Sequence, residues 1–361
     1  KLIMRIKYKD NHEFFSAYSY NSEENYFELK GSEQSTILYY PKLQLDNQYD
    51  SSKFSFVLLA NESPTCSENS IYQVCVGEKR IGWIFPFQAL LSDNHDQANN
   101  PYFLKYAYVA TELLLHAIEE TDAREEPDEI YLEDYYNTEL NVLVLDSENT
   151  AQIQEFNLEK YVVGLFKYGY SFSGKGNILA DVPTDGSRKR IKIKAVSDEL
   201  SGVPNINYLF KEQLPFADNE VIRFYLCYQV IELLITIVFE DQFRKLLSEI
   251  SVSAEKLFDH RETLSKLAGE KYRINELFTK YVELTETRDK TDLNAACEKL
   301  LVQSGKDISG SYYENLYAVR CLVVHKLYSL STESIKMLAD INKPFLNIIM
   351  DMLFTFKKEC P

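Results

Sequence analysis

Between Pro215 and Pro344 the chain contains no proline, and after residue 206 glycine occurs only at Gly269, Gly305 and Gly310. Proline removes a backbone donor and clashes with the preceding helical turn, while glycine costs about 1 kcal/mol in a helix interior. A stretch of this length with so little of either is suited to long helices. Its apolar periodicity divides it into expected helices at about 218–250, 253–269, 271–286, 291–304, 310–329 and 332–358. Ser331 is the expected cap of the last, Glu333 lies in its first turn, and Pro344 is expected to kink it.

The first 205 residues obey a different pattern. Runs of β-branched and aromatic residues recur at Phe54–Ala60, Arg80–Phe87, Asn141–Asp146 and Arg190–Val196, separated by Asn, Ser, Gly and Pro clusters. One helix interrupts them, with Asn100 as cap, Pro101 at its first position and an apolar stripe through Phe103, Ala107, Ala110, Leu114 and Ala117. The expected fold class is therefore α+β: a mixed α/β N-terminal domain over residues 1–205, then an all-α domain over 206–361. The boundary is expected at "SGVPN", Ser201 to Asn205, and no internal repeat is evident.

Composition narrows the function classes. The longest apolar candidate, Val230 to Phe239, carries Glu232 and is far shorter than the ~18–20 residues that span a bilayer, so no membrane association is expected. No basic-then-apolar leader opens the sequence, and the expected location is cytoplasmic. Six cysteines at wide spacings and five histidines without ligand spacing give no expected metal centre, and no cofactor motif stands out. The net charge of −16 argues against indiscriminate nucleic-acid binding. That charge is uneven. Residues 217–361 carry 19 Lys and Arg against 22 Asp and Glu, leaving 20 against 33 for the first 216, so the C-terminal part has room for a local basic groove.

Several segments are candidates for chemistry. "GYSFSGKG", Gly169 to Gly176, approaches the phosphate-loop pattern but ends in Gly176 where a hydroxyl should hold magnesium, and Pro183 interrupts the helix that should follow. A strand turn is the plainer reading. "RKRIKIK" would, as a strand, put Arg188, Arg190, Lys192 and Lys194 on one face, either to track a phosphate backbone or to guard an exposed sheet edge. The acidic run from Glu119 to Asp134 reads as a solvated helix end and loop.

The segment "LYAVRCLVVHKLY", Leu316 to Tyr328, is different, because an apolar helix carries one arginine and one histidine five residues apart. A buried guanidinium needs a partner. On a helical wheel Arg320 and His325 lie about 140° apart, too far to point the same way, with Tyr317, Cys321, Val324 and Tyr328 between them on the arc. Two copies packed across a two-fold axis would let each pair line a shared cleft. Upstream, Tyr225, Tyr228 and Glu232 fall on one line of another apolar helix, and Glu232 is the expected partner of Arg320.

This arrangement resembles the HEPN superfamily, whose helical bundles carry an R-x4-6-H motif late in the domain. The likeness rests on Arg320–Cys-Leu-Val-Val–His325 and on "FYLCYQVIELL", and it covers roughly residues 206–361. It implies a homodimer through the helical domain and a metal-independent endoribonuclease of a defence or toxin type. Arg320 and His325 would then be catalytic, with Glu232, Tyr228, Cys321, Tyr317 and Tyr328 supporting them and RNA as substrate. The N-terminal domain would sense a trigger, from a phage or from the cell. Two departures stand out: Cys321 occupies the place where many active members carry Asn, Asp or His, and Tyr328 lies three residues past the histidine where a toxin variant has it two past. A rival expectation is a non-catalytic dimerisation or nucleotide- and RNA-binding module, in which Arg320 is a structural partner of Glu232 and His325 a satisfied core residue.

Overall fold

The computed structural model describes residues 4–8, 11–31, 36–45, 49–61, 67–117, 120–122, 129–172, 190–252, 257–285 and 287–358. Its strands are β1 (Met4–Tyr8), β2 (Asn11–Asn21), β3 (Tyr26–Gly31), β4 (Thr36–Tyr39), β5 (Phe54–Asn61), β6 (Tyr72–Val76), β7 (Lys79–Pro86), β8 (Glu120–Asp122), β9 (Asn141–Asp146), β10 (Tyr170–Ser171) and β11 (Arg190–Lys192). Its α-helices are α1 (Pro101–Ala117), α2 (Ser147–Thr150), α3 (Val162–Lys167), α4 (Pro204–Tyr208), α5 (Glu220–Val252), α6 (Leu257–Ala268), α7 (Glu270–Glu276), α8 (Thr287–Gln303), α9 (Tyr312–Lys326), α10 (Thr332–Lys336) and α11 (Leu338–Thr355). The class is α+β.

The strands form two sheets. One has the order β4-β3-β2-β1-β8, antiparallel except for β1 against β8. The other has the order β10-β5-β9-β7-β6-β11, antiparallel except for β11 beside β6. The first of these sheets was not foreseen, although the alternating burial of β3 and β4 is the ordinary pattern of a half-buried strand. Gly82 shows how tightly the second is built: a Cβ there would drive into the Val144 carbonyl of the neighbouring strand. Helix α1 packs on β2, β5, β7 and β9. Its expected stripe of Phe103, Ala107, Ala110 and Leu114 is buried, and the Asn100 side chain accepts from Tyr102 N–H at 3.0 Å as a cap. Aromatic edges fill the rest of this core, with Trp83, Phe85 and Tyr106 fully buried around Phe103.

The chain divides into two compact units at a place other than Ser201–Asn205. Among the described residues the first unit holds everything to Leu158 with 168–172 and 190–193, while the second holds Glu159–Lys167 and the chain from Lys194 onward. The correction has a packing cause. In α3, Gly164 lies against the backbone of Lys194, so close that a Cβ would overlap its carbonyl oxygen, and Lys167 pairs with Asp351 of α11 at 2.7 Å. A short helix thus joins a bundle that begins far downstream in sequence.

Helix α5 is 33 residues long. Asn219 caps it by accepting from Val221 N–H at 2.8 Å, and Phe224, Cys227, Tyr228, Ile231, Leu234, Ile235 and Val238 bury one face. It packs against α6, α7, α10 and α11, while α8 lies between α9 and α11. By length and composition α5 could cross a membrane, contrary to the expectation from its apolar run alone, and half of that window is buried by its own unit. The long last helix is interrupted at Met337, where α10 ends and α11 begins, and α11 continues through Pro344. Ser331 caps α10 as expected, accepting from Ser334 N–H at 3.1 Å.

Candidate functional site

Helix α9 buries Leu316, Val319, Leu322 and Val323 on one flank. Asn315, fully buried, ties its first turn to α8 by donating to Asn294 Oδ1 at 2.9 Å and accepting from Ser309 N–H at 2.8 Å. With that flank fixed, Tyr317, Arg320 and Cys321 are half-buried on the other side, and His325 is exposed in the last turn.

Arg320 and His325 meet within one chain. Arg320 Nη1 lies 3.3 Å from His325 Nε2. The wheel argument fails because a projection ignores reach. Five residues span roughly 7.5 Å of helix rise, a distance that a four-bond arginine stem covers, and helical side chains lean toward the N-terminus, which tips His325 back toward the preceding turn. A second copy is not needed to bring the two together. Guanidinium groups only donate, so this contact is a hydrogen bond when Nε2 accepts, with the imidazole proton on Nδ1.

The expected partner is also present. Arg320 Nη2 donates to Glu232 Oε1 of α5 at 2.9 Å, and the guanidinium carbon sits 5.5 Å from the centre of the Tyr228 ring. The Arg320 side chain is 16% exposed, so burial works against its charge, yet the bond to Glu232 and the field of Glu270 hold its pKa above the ordinary value. Tyr228 is buried beside Phe224 and Phe345, and burial, reinforced by Glu270, keeps its phenol protonated far above the usual range. Neither the Tyr228 hydroxyl nor Arg320 Nε has a hydrogen-bond partner.

Glu270 was not anticipated. It opens α7 directly after Gly269, and Tyr317 donates to its Oε2 at 3.2 Å. Burial pushes the Tyr317 phenol up to about 12, with Cys321 and Glu270 adding to the effect. No local pattern links residue 270 to residue 320; only the packing of α7 on α9 brings them together. The group is thus one cation between two carboxylate fields, an aromatic floor in Tyr228 and an imidazole at the solvent edge. Tyr328, expected in support, lies beyond the helix end and is 89% exposed.

The other candidates fare differently. Arg190 Nε donates to Gln73 at 3.0 Å and Lys192 pairs with Glu78 at 2.5 Å, both in the N-terminal unit. Those cations are occupied by neighbours, as on a guarded sheet edge. Lys194 belongs to the other unit, so the expected row is split; Arg188 lies outside the described residues. So do the last four residues of the Gly169–Gly176 loop and much of the Glu119–Asp134 run. Among the described residues no three His, Cys, Asp or Glu side chains gather as a metal would require. No family model, curated protein or solved structure matches the chain.

Proposed function

We propose that the helical unit is a HEPN-like endoribonuclease that works without a metal ion, in the cytoplasm, as a homodimer of a defence or toxin type. The observation that carries this reading is the 3.3 Å approach of Arg320 to an exposed His325, with Glu232 at 2.9 Å fixing the guanidinium. Among the described residues Cys75, Cys227, Cys297 and Cys321 are free thiols, which suits a reducing compartment.

The chemistry follows from the side chains. His325 Nε2, as acceptor, takes the proton of a ribose 2′-hydroxyl. The 2′-oxygen attacks the adjacent phosphorus, the bond from phosphorus to the 5′-oxygen breaks, and the leaving oxygen is protonated from the imidazolium or from water. Arg320 offers its forked donors to the phosphoryl oxygens as negative charge builds there. The products are a 2′,3′-cyclic phosphate and a 5′-hydroxyl. The N-terminal unit is the proposed sensor of the trigger.

A second reading keeps RNA or nucleotide binding without cleavage. The Arg320–Glu232 pair favours it, since a guanidinium held at 2.9 Å by a carboxylate has a structural use already. Incubation of the full-length protein with RNA in EDTA separates the two. Cyclic-phosphate ends that accumulate with wild type and vanish with Arg320→Ala or His325→Ala support the nuclease; cleavage that survives both substitutions overturns it. Growth arrest on expression, lost with His325→Ala, tests the same point where a trigger is needed.

A further inference from the structure

Glu232 is held at both of its carboxylate oxygens. Oε1 accepts from Arg320 Nη2 at 2.9 Å, and Oε2 accepts from Gln229 Nε2 at 3.1 Å. An ionised carboxylate only accepts, so the Gln229 amide must turn its nitrogen toward it. Gln229 precedes Glu232 by three residues on α5, which puts the two on one face of the helix. Thr236 continues that line, its hydroxyl donating to the Glu232 carbonyl at 2.8 Å. The amide itself is exposed, but Tyr228 and Val230 on either side of it are buried, so the core fixes the backbone that carries it. An exposed glutamine carries no signal of its own in a sequence, and only its partner marks it here.

Carboxylates and guanidinium groups frequently meet through two parallel N–H···O bonds. The Glu232–Arg320 contact is instead made through one oxygen and one nitrogen, while Arg320 Nη1 lies 3.3 Å from His325 Nε2. The torsion that turns a glutamate carboxylate is broad and roughly two-fold, so an oxygen without a partner swings readily. With Oε2 released, the carboxylate would close on both Nη groups of Arg320. The second bond would then draw Nη1 away from the imidazole. By occupying Oε2, the Gln229 amide opposes that rotation, and the nitrogen facing His325 stays available.

We infer that Gln229 is a positioning residue of the proposed cleavage site: it keeps the Glu232–Arg320 contact single, and so leaves Arg320 Nη1 for His325 and for the phosphoryl oxygens of the substrate. The inference rests on the nuclease reading above and adds what sets the direction of the guanidinium. Gln229, Glu232, Arg320 and His325 form one string of side-chain contacts from α5 to the end of α9. Gln229 touches neither Arg320 nor His325 in that string and acts on both through Glu232.

The test is Gln229→Met in the full-length protein, which removes the amide and keeps the length of the side chain. With RNA in EDTA, the single-turnover rate at saturating RNA is expected to fall about fivefold, the worth of one typical hydrogen bond. The RNA concentration for half-maximal rate and the unfolding temperature should stay at wild-type values. In the background of Glu232→Gln the fall should vanish, because an amide has a single oxygen and cannot take both Nη groups; a double-mutant cycle reads that coupling. A second readout needs no cleavage. Nitrogen chemical shifts of the His325 ring report which nitrogen carries the proton, and wild type should favour Nδ1–H, with Nε2 accepting from Arg320, more strongly than Gln229→Met does. A ring signal indifferent to Gln229→Met overturns the positioning whether or not RNA is cut. So does an unchanged rate in a protein that cleaves, or an equal fall in the Glu232→Gln background. A ring signal that shifts in a protein whose wild type cuts no RNA retires the nuclease and keeps the string.

Discussion

In the N-terminal unit the imidazole of His95 is 4% exposed, and both of its nitrogens are used by backbone: Nε2 lies 3.0 Å from the Ala89 carbonyl, and Nδ1 accepts from Gln97 N–H at 3.2 Å. The ring of Phe103 stands edge-on 5.3 Å away. In the helical unit His325 is exposed, and the contact at its Nε2 is another side chain, the guanidinium of Arg320. The first arrangement fixes a single tautomer inside a loop and stabilises the turn before α1. The second leaves the ring at the solvent edge. Burial and the identity of the partner, rather than residue type, separate the histidine held in the fold from the one for which a chemical role is proposed.

The largest expected effect is on His325. His325→Ala should lower RNA cleavage by roughly 10³-fold with unfolding temperature unchanged, since general acid–base groups typically contribute 10²–10⁴. Single-turnover kinetics beside a thermal melt checks both halves. If the melting temperature fell and cleavage persisted, the contrast with His95 would collapse.

Arg320→Lys comes next. It retains a charge near Glu232 but loses the fork that reaches Glu232 and His325 together, so cleavage should drop about 10²-fold with RNA affinity little changed. A rate constant measured at saturating RNA, beside a binding curve, tests that division.

His95→Ala should act in the opposite sense to His325→Ala. It leaves the Ala89 carbonyl and the Gln97 N–H inside without their partner, at a cost of about 2 kcal/mol of stability, while cleavage per folded molecule stays at wild-type level. Denaturant titration reads the first quantity and active-fraction kinetics the second.

The smallest effect concerns groups that burial perturbs most. Burial pushes the thiols of Cys227 and Cys297 in the helical unit, and the phenols of Tyr106 and Tyr136 in the N-terminal unit, up to about 12. Each folded-state pKa is raised, so the folded chain keeps protons that the unfolded chain releases. The stability they contribute is whole below the unfolded values near 8.5 for Cys and 10 for Tyr, and it declines as pH rises from there toward 12. Unfolding free energy measured at pH 7, 9 and 10.5 should fall modestly between the first two, where the thiols begin to ionise in the unfolded chain, and more steeply between the last two. The same shift predicts that iodoacetamide at pH 8 leaves Cys227 and Cys297 unmodified in the native protein, because the thiolate is the reactive form.

Much of the local structure was legible. Residues Asn141–Asp146 were read as a strand and form β9; the helix opened by Asn100 and Pro101 is α1; Ser331 caps a helix that begins where expected, although that helix ends at Lys336. These signals depend on neighbours within a turn or a strand, so sequence spacing carries them. The Glu232–Arg320 pair was legible for another reason: a lone acid and a lone guanidinium on two apolar faces of one bundle have few other ways to be covered. The interruption at Met337 was not, nor was the recruitment of α3 into the helical unit, since both depend on what packs there.

By itself, then, the sequence determined that the second half is helical and that β5, β7, β9 and α1 form where they do, because proline and glycine placement and apolar period act over a few residues. It also supplied the two residues on which a chemical reading turns. Tertiary structure decided that Arg320 reaches His325 within one chain and that Glu270 stands beside Tyr317. Those outcomes depend on side-chain reach and on helices far apart in sequence packing together, and no residue spacing encodes either.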